Sequence, residues 1–244
     1  MRSARYVVDV GATSIKSRLS DDQGLPLSPI NRRSTPYPCT PETLLETIVP
    51  RILFSDAPRV AIGLPCEVRD GVVLDGANLT RPAGPGTPSS TALIEQWQGF
   101  EAQSVFVAST KRDVRVVNDA TLALLGCMRG EGREMVITLG TGFGFSLSVD
   151  GELSDTPDIG ELDFEGWGSF DSTLGELGRR GDETLWVDNV VSAVEALQKQ
   201  YGVDLIHLAG GNARRLSPRW FGSLSNKVRI EGNEVALRAG VRLF

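Results

Sequence analysis

Residues 137–151 read ITLGTGFGFSLSVDG and combine an apolar strand, a glycine turn, a second strand and an Asp-Gly turn. In the second strand Phe145, Leu147 and Val149 alternate with polar residues, which is the strand period. The turn glycines carry no Cβ, so the backbone can approach a phosphate closely and point several N–H groups at it. An ordinary β-hairpin has the same pattern, so this turn predicts a phosphate loop only together with its surroundings.

A similar strand, glycine turn and strand lie near the start of the chain, where residues 6–20 read YVVDVGATSIKSRLS. Asp9 ends the first strand, and a carboxylate there can orient a hydrated Mg²⁺ while the turn at 11–13 holds phosphate. Lys16 would screen the phosphate charge. The alternative is a β-hairpin whose aspartate caps its own turn. Because the pattern begins at residue 6 and again at residue 135, the sequence suggests an internal duplication.

Another predicted strand, 114–117, runs into Asn118 and Asp119 and then into a helix. Helix capping alone could explain both residues. The functional interpretation makes Asp119 a general base, because open α/β sheets hold their ligands at the carboxyl ends of the strands.

Composition excludes several classes of function. The chain has 244 residues and a net charge of −6, which disfavours a nucleic-acid-binding surface. No apolar run is long enough to span a bilayer, so no membrane partner is expected. Three isolated cysteines indicate a reducing, cytoplasmic location, and a single histidine without a C-x-x-C motif argues against zinc.

The remaining sequence divides into acidic loops and helices. Residues 152–163 are acidic and loop-like, which suits polyol hydroxyl groups or a merely solvated loop. Residues 165–181 are rich in glycine and are expected to be irregular. Helices are predicted over 40–52, 185–201 and 233–244, whereas His207, flanked by apolar residues, is interpreted as a satisfied core residue.

Taken together, the motifs resemble those of ROK-family sugar kinases, which have the actin-like, ribonuclease-H-like ATPase fold. The chain looks closest to the short, zinc-free branch that contains polyphosphate/ATP glucokinases. The order of the motifs carries this resemblance over nearly the whole chain: DVGATSIK at 9–16, GLP at 63–65, NL at 78–79, VNDA at 117–120, LGTGFG at 139–144, AGGN at 209–212 and NE at 233–234.

The resemblance implies an α/β protein of two domains with a cleft between them. The smaller domain would comprise 1–113 with 232–244, and the larger one 114–231. Phosphate and nucleotide binding would fall to Asp9 (through water-bound Mg²⁺), Gly11, Ala12, Thr13, Lys16, Gly140, Thr141, Gly142, Gly144, Gly210, Gly211 and Asn212. The acceptor would be bound by Asn78, Asn118, Asp119, Asp158 and Glu161, with Asp119 as the catalytic base.

The activity so implied is phosphoryl transfer from Mg-ATP, or from polyphosphate, to a sugar-like acceptor such as glucose. Dimers are usual in the family, so a homodimer is one expectation. One departure concerns the acceptor: the family's Glu-x-Gly-His is replaced by Asp158-Ile159-Gly160-Glu161. An ionised glutamate only accepts hydrogen bonds, whereas histidine also donates, so a cyclitol or an aminosugar is an alternative substrate. A non-catalytic sugar sensor and an acetate-kinase-like enzyme are further alternatives.

Overall fold

The computed structural model describes residues 4–155, 159–166 and 168–244. Contacts divide the chain into two compact units. The first comprises Met1–Gly126 with Ala236–Phe244, and the second Cys127–Val235. The division at 113/114 and 231/232 implied by the resemblance stays a prediction.

The first unit is built on a five-stranded sheet in the order β3-β2-β1-β4-β7. Its β1 is antiparallel to β2 and parallel to β4, which is in turn parallel to β7. A separate short hairpin, β5 with β6, follows β4 along the chain. The strand bounds are β1 (Arg5–Val10), β2 (Ser14–Ser20), β3 (Asn31–Ser34), β4 (Arg59–Leu64), β5 (Glu67–Arg69), β6 (Val72–Asp75) and β7 (Asp113–Asn118).

Helices cover this sheet, and the core lies between them and the apolar strands. They are α1 (Pro41–Phe54), α2 (Thr91–Trp97), α3 (Ala102–Thr110) and α4 (Asp119–Cys127). Helix α1 begins one residue after the predicted start at 40, because Thr40 caps it: Thr40 Oγ1 accepts the Thr43 N–H at 3.0 Å, and proline occupies the first turn.

The helix predicted over 233–244 is present but shorter, as a 3₁₀ helix over Val235–Val241. Gly240 packs so closely on β1 that a Cβ there would lie 3.0 Å from Cγ2 of Val7. Leu237 and Ala239 are fully buried, so packing rather than helix propensity determines the conformation of this segment.

The second unit has a five-stranded sheet in the order β10-β9-β8-β11-β12. Residues 165–181 were predicted to be irregular, but the structure has two short helices there, and Ser169 Oγ caps the first of them. The bounds are β8 (Arg133–Leu139), β9 (Phe143–Val149), β10 (Glu152–Leu153), α5 (Phe170–Leu174), α6 (Glu176–Gly181), α7 (Glu183–Tyr201), β11 (Leu205–Ala209) and β12 (Val228–Ile230).

The two sheets share one plan. In each, the first strand forms a hairpin with the second, a third strand extends the hairpin edge, and two parallel strands lie on the other side. Each hairpin turn is three residues long, at 11–13 and at 140–142. This common plan supports the internal duplication suggested by the sequence. No helix in the described parts of the chain is long and apolar enough to cross a membrane.

Candidate functional site

The first glycine turn is held in place by hydrogen bonds to its carbonyl groups. Thr35 Oγ1 donates to the Gly11 carbonyl at 2.7 Å, and the Tyr37 hydroxyl donates to the Ala12 carbonyl at 2.6 Å. The Thr35 N–H also donates to the Thr13 carbonyl at 3.2 Å. Burial raises the pKa of Tyr37, so its hydroxyl stays protonated as a donor. Sequence reasoning missed both residues, because they follow β3 and carry no motif.

Asp9 and Lys16 face each other across the β1–β2 hairpin. Lys16 Nζ lies 3.1 Å from Asp9 Oδ2, and the two side chains are only 12% and 13% exposed. This arrangement fits the predicted roles, since Mg²⁺ is commonly held through one carboxylate, several waters and the substrate phosphates. Asp9 would hold that ion through water, and Lys16 would face the same phosphates.

The carboxyl ends of β1, β4 and β7 meet at one edge of the first sheet. Asp9 is paired with Gly63, and Gly63 with Val117, so Asp119 lies just beyond this row. Neighbouring strands are about 4.8 Å apart, which places the ends of β1 and β7 roughly 10 Å from each other. The edge therefore gathers Asp9, Asn118 and Asp119, as expected for a ligand site of an α/β sheet.

Asn118 and Asp119 are both partly engaged by the start of α4. Asn118 Oδ1 accepts the N–H groups of Ala120 and Thr121 at 2.8 and 3.3 Å, and its Nδ2 donates to the Cys66 carbonyl at 2.9 Å. Among the described residues this contact uses one N–H of the amide group, and the other can donate to a ligand. Asp119 Oδ1 accepts the Ala120 N–H at 2.8 Å, and the residue is half-buried at a helix N-terminus, where negative charge is favoured.

The other predicted acceptor residues lie in separate segments. Asn78 is half-buried in a 3₁₀ helix over Ala77–Thr80, where its carbonyl accepts the Arg81 N–H at 3.4 Å. Glu161 is exposed in the loop that precedes α5. Asp158 lies outside the described residues.

In the second unit the glycine turn at 140–142 and the 210–212 segment form one cradle. Asn212 donates its backbone N–H to the Leu139 carbonyl at 2.9 Å and its Nδ2 to the Gly140 carbonyl at 3.1 Å. Gly210 has a φ of +88°, and a Cβ there would collide with the Leu139 carbonyl. The structure thus brings together two of the motifs predicted to bind phosphate and nucleotide.

Residues of helices α5 and α6 also contact this turn and the start of β9. Asp171 Oδ1 accepts the Phe143 N–H at 2.7 Å, and a Cβ on Gly142 would lie only 2.5 Å from that oxygen. The Glu176 N–H donates to the Thr141 carbonyl at 3.1 Å. Gly144 lies in β9, paired with Thr138, so it belongs to the hairpin rather than to the turn. In contrast, a Cβ on Gly140 or Gly211 would meet no heavy atom of the described residues within 4 Å. A ligand can therefore approach the backbone at these two glycines.

Glu176 is a residue of this cradle that sequence reasoning missed. Its carboxylate accepts two hydrogen bonds from Arg179, at 2.7 and 2.9 Å, one from Arg180 at 2.7 Å and one from Asn212 at 3.0 Å. The Arg179 guanidinium, followed by Arg180 and Asn212, lowers the pKa of Glu176 to about 2, so this group is a carboxylate at neutral pH. The sequence does contain one indication of this role: Arg179 and Arg180 follow Glu176 at i+3 and i+4, the spacing of ion pairs on a helix.

His207 is satisfied within the core, as interpreted from the sequence. Its Nδ1 lies 2.8 Å from Glu231 Oε1, and its Nε2 lies 3.0 Å from Oε2 of the fully buried Glu134. Burial raises the pKa of Glu134, but the N–H groups of Arg129 and Gly130 and the imidazole outweigh it and leave that pKa lowered.

Comparisons with known proteins find similar sequences and similar folds. No family model matches the chain. Polyphosphate glucokinase of Mycobacterium leprae (strain TN) is 25% identical over 251 residues, covering 98% of this chain and 73% of that protein. Polyphosphate glucokinase of Mycobacterium tuberculosis (strain ATCC 25618 / H37Rv) is 25% identical over 247 residues, covering 97% of this chain and 88% of that protein.

Solved structures give the same result for the fold. The inorganic polyphosphate/ATP-glucomannokinase from Arthrobacter sp. strain KM superposes with a TM-score of 0.78 at 23% identity, covering 98% of this chain and 97% of that one. The ROK family glucokinase from Streptomyces griseus in complex with glucose and AMPPNP superposes with a TM-score of 0.71 at 17% identity, covering 98% of both chains. The resemblance and the fold predicted from the sequence are therefore confirmed: the chain is a relative of the polyphosphate glucokinases and has the actin-like α/β fold of the ROK-family sugar kinases.

Proposed function

We propose that the chain transfers a phosphoryl group from ATP or polyphosphate to a hydroxyl group of a sugar or a related polyol. The observation that carries this proposal is the contact between Asn212 Nδ2 and the Gly140 carbonyl, which joins two motifs 72 residues apart into one cradle with open backbone. The curated relatives support the same activity, since they are polyphosphate glucokinases matched over nearly the whole chain.

In this proposal the protein contributes position and charge more than covalent chemistry. Backbone groups of the two glycine turns bind the phosphates, and Lys16 offsets their charge. Mg²⁺, held by Asp9 through water, would supply further charge neutralisation when bound. The segment at 210–212 approaches the nucleotide.

The acceptor is bound by residues at the edge of the first sheet, with Asn78 and Asn118 as hydrogen-bonding partners and Asp158 and Glu161 contributing from the acidic loop. Asp119 takes the proton of the acceptor hydroxyl as the oxygen of that group bonds to phosphorus and the donor's bridging bond breaks. The products are the sugar phosphate and ADP, or a polyphosphate shortened by one unit. The cytoplasmic location, the homodimer and the lack of a nucleic-acid partner stay predictions.

The test is a panel of hexoses, aminosugars and cyclitols assayed with ATP and with polyphosphate side by side, following ADP release or polyphosphate loss. Asp119→Asn should lower kcat by about 10²–10⁴-fold while nucleotide binding is kept. Asp113→Asn, an exposed aspartate at the other end of β7, is the matched control and should behave like the parent. Near-normal turnover of Asp119→Asn would refute this base, and acceptor binding without turnover across the panel would favour a sensor instead.

A further inference from the structure

Three residues with metal-ligating side chains come together in the second unit, at positions that the proposed reaction does not use. Cys127 ends α4, His207 lies in β11 and Glu231 directly follows β12. One potential ligand atom from each lies within 4.8 Å of the other two. His207 is 2% exposed and Glu231 is 21% exposed, while Cys127 is half-buried, so the cluster borders solvent on one side.

The buried side of the cluster orients the imidazole ring. Glu134 already accepts the N–H groups of Arg129 and Gly130 at 2.6–2.9 Å, so its carboxylate acts as an acceptor towards His207 Nε2 as well. The Nε2 atom must then carry a proton, and Nδ1 is the nitrogen that faces Glu231. A carboxylate that fixes the far N–H of a histidine is the usual support of a metal-bound imidazole.

The charges around the ring favour a cation on the Nδ1 side. Two carboxylates, Glu134 and Glu231, converge on one imidazole. A metal ion on the Nδ1 side would be attracted by both carboxylates. The sulfur of Cys127 lies in the same group, so three protein ligand atoms are available to such an ion.

We propose that Cys127 Sγ, His207 Nδ1 and the Glu231 carboxylate form a zinc-binding site, with Glu134 as the residue that positions the imidazole. Sulfur, nitrogen and oxygen together suit Zn²⁺, while Mg²⁺ prefers oxygen ligands throughout. This ion is therefore distinct from the Mg²⁺ of phosphoryl transfer. A water molecule would complete the tetrahedron.

Closing the site requires a small movement. Tetrahedral zinc bonds of about 2.0–2.3 Å separate ligand atoms by about 3.5 Å. Spacings of up to 4.8 Å must therefore contract by at most about 1.3 Å, and the 2.8 Å between His207 Nδ1 and Glu231 Oε1 must widen by about 0.7 Å. Cys127 and Glu231 stand at the ends of their elements and are partly exposed, so their side chains can make this adjustment. The sequence-based argument against zinc considered only closely spaced ligands, whereas these three lie at 127, 207 and 231.

The test uses the untagged full chain, freed of metal by chelator and dialysis, and titrated with Co²⁺ and Zn²⁺. We expect one equivalent of Co²⁺ with a thiolate-to-cobalt charge-transfer band, displacement of Co²⁺ by Zn²⁺ but not by Mg²⁺, and a higher Tm with Zn²⁺. Cys127→Ser should abolish the band and weaken Zn²⁺ binding by more than about 100-fold, because second-shell changes alone cost about 10–100-fold. Glu231→Gln should also weaken binding.

Matched controls separate ligation from general damage. Cys39→Ser should keep the band, because burial raises the pKa of Cys39 to about 12 and leaves it a thiol in the first unit. Glu195→Gln, an exposed change on α7, should also bind normally. Unchanged binding in Cys127→Ser, or Co²⁺ binding without a charge-transfer band, would overturn the proposal.

A second readout does not depend on variants. His207 is the only histidine in the sequence, so the ¹⁵N signals of its ring need no assignment. Zn²⁺ should shift Nδ1 while Nε2 keeps its proton. A ring that carries both protons with and without Zn²⁺ would show that the cluster is a hydrogen-bonded imidazolium and would refute the zinc site.

Discussion

A Cβ atom on Gly63 would lie 2.8 Å from Cδ2 of Leu122, so β4 and α4 touch at a point where only glycine fits. Leu122 is fully buried, and its side chain has no open space into which it could turn aside. The same Cβ would lie 3.2 Å from the Cα of Asp119, so this contact also determines where the proposed base sits.

Gly63→Ala should therefore displace the first turn of α4. We expect a loss of about 1–3 kcal/mol in the free energy of unfolding, as in other overpacked cores, and a fall in kcat that exceeds the change in the KM for the donor. Steady-state kinetics and denaturant unfolding measure both effects. Gly181→Ala, whose Cβ meets no described atom within 4 Å, should leave stability and kcat unchanged. A Gly63→Ala protein with parental kcat would contradict a positioning role.

Gly140→Ala should weaken donor binding without lowering stability. Because a Cβ there meets no described atom within 4 Å, the free energy of unfolding should stay within about 0.5 kcal/mol of the parent value. A phosphate that approaches this backbone would meet the new methyl group, so the KM for the donor should rise at least about tenfold, or roughly 1.4 kcal/mol. An unchanged KM would favour the ordinary hairpin over the phosphate loop.

Glu176→Gln should reveal a pH-dependent contribution to stability. The pKa of Glu176 is depressed from 4.5 to about 2, so its carboxylate stabilises the folded state above about pH 4.5. That contribution is lost as the pH falls through about 2. We expect the parent to exceed the variant by about 1 kcal/mol at pH 7, with the difference shrinking below pH 4.5. Thermal unfolding across this range measures it, with Glu195→Gln as an exposed control. A difference that stays constant down to pH 3 would be inconsistent with this ion pair.

Glu161→His should change the preferred acceptor rather than the fold. Glu161 is exposed, so the substitution should alter stability by no more than about 0.5 kcal/mol. Histidine adds a donor that an ionised glutamate lacks, so kcat/KM should shift towards neutral hexoses over aminosugars by about tenfold. Glu152→His, another exposed change in the second unit, should not shift this ratio. An unaltered preference in Glu161→His would remove the reason to link this loop to substrate choice.

Elements with strong local signals were predictable from the sequence. The two hairpins follow from alternating residues around glycine turns, and α1 and α7 follow from apolar faces at helical spacing. The start of α7 was not predicted as well, since the helix begins at Glu183 rather than at 185 and is capped by Asp182. The placement of Asp119 at the carboxyl end of a strand was also predictable, because a strand and a helix meet there.

Features that depend on distant partners were not predictable. Helix α5 has only five residues, and two glycines, Gly178 and Gly181, weaken the helix propensity of α6. Both helices are instead stabilised by distant contacts, since Asp171 accepts the Phe143 N–H and the Glu176 N–H donates to the Thr141 carbonyl. Thr35 and Tyr37 act through single hydrogen bonds to the first turn and leave no periodic signal. Their roles follow only from the folded backbone.

The 3₁₀ helix near the C-terminus has a consequence for synthesis. Leu237 and Ala239 are buried in the first unit, and Ser20 Oγ donates to the Leu237 carbonyl at 3.3 Å. Because Ala236–Phe244 follows Cys127–Val235 in the chain, the second unit is synthesised before the core of the first unit can be completed. Until then the apolar surface that Ala236–Phe244 covers stays exposed on the nascent chain, which favours aggregation.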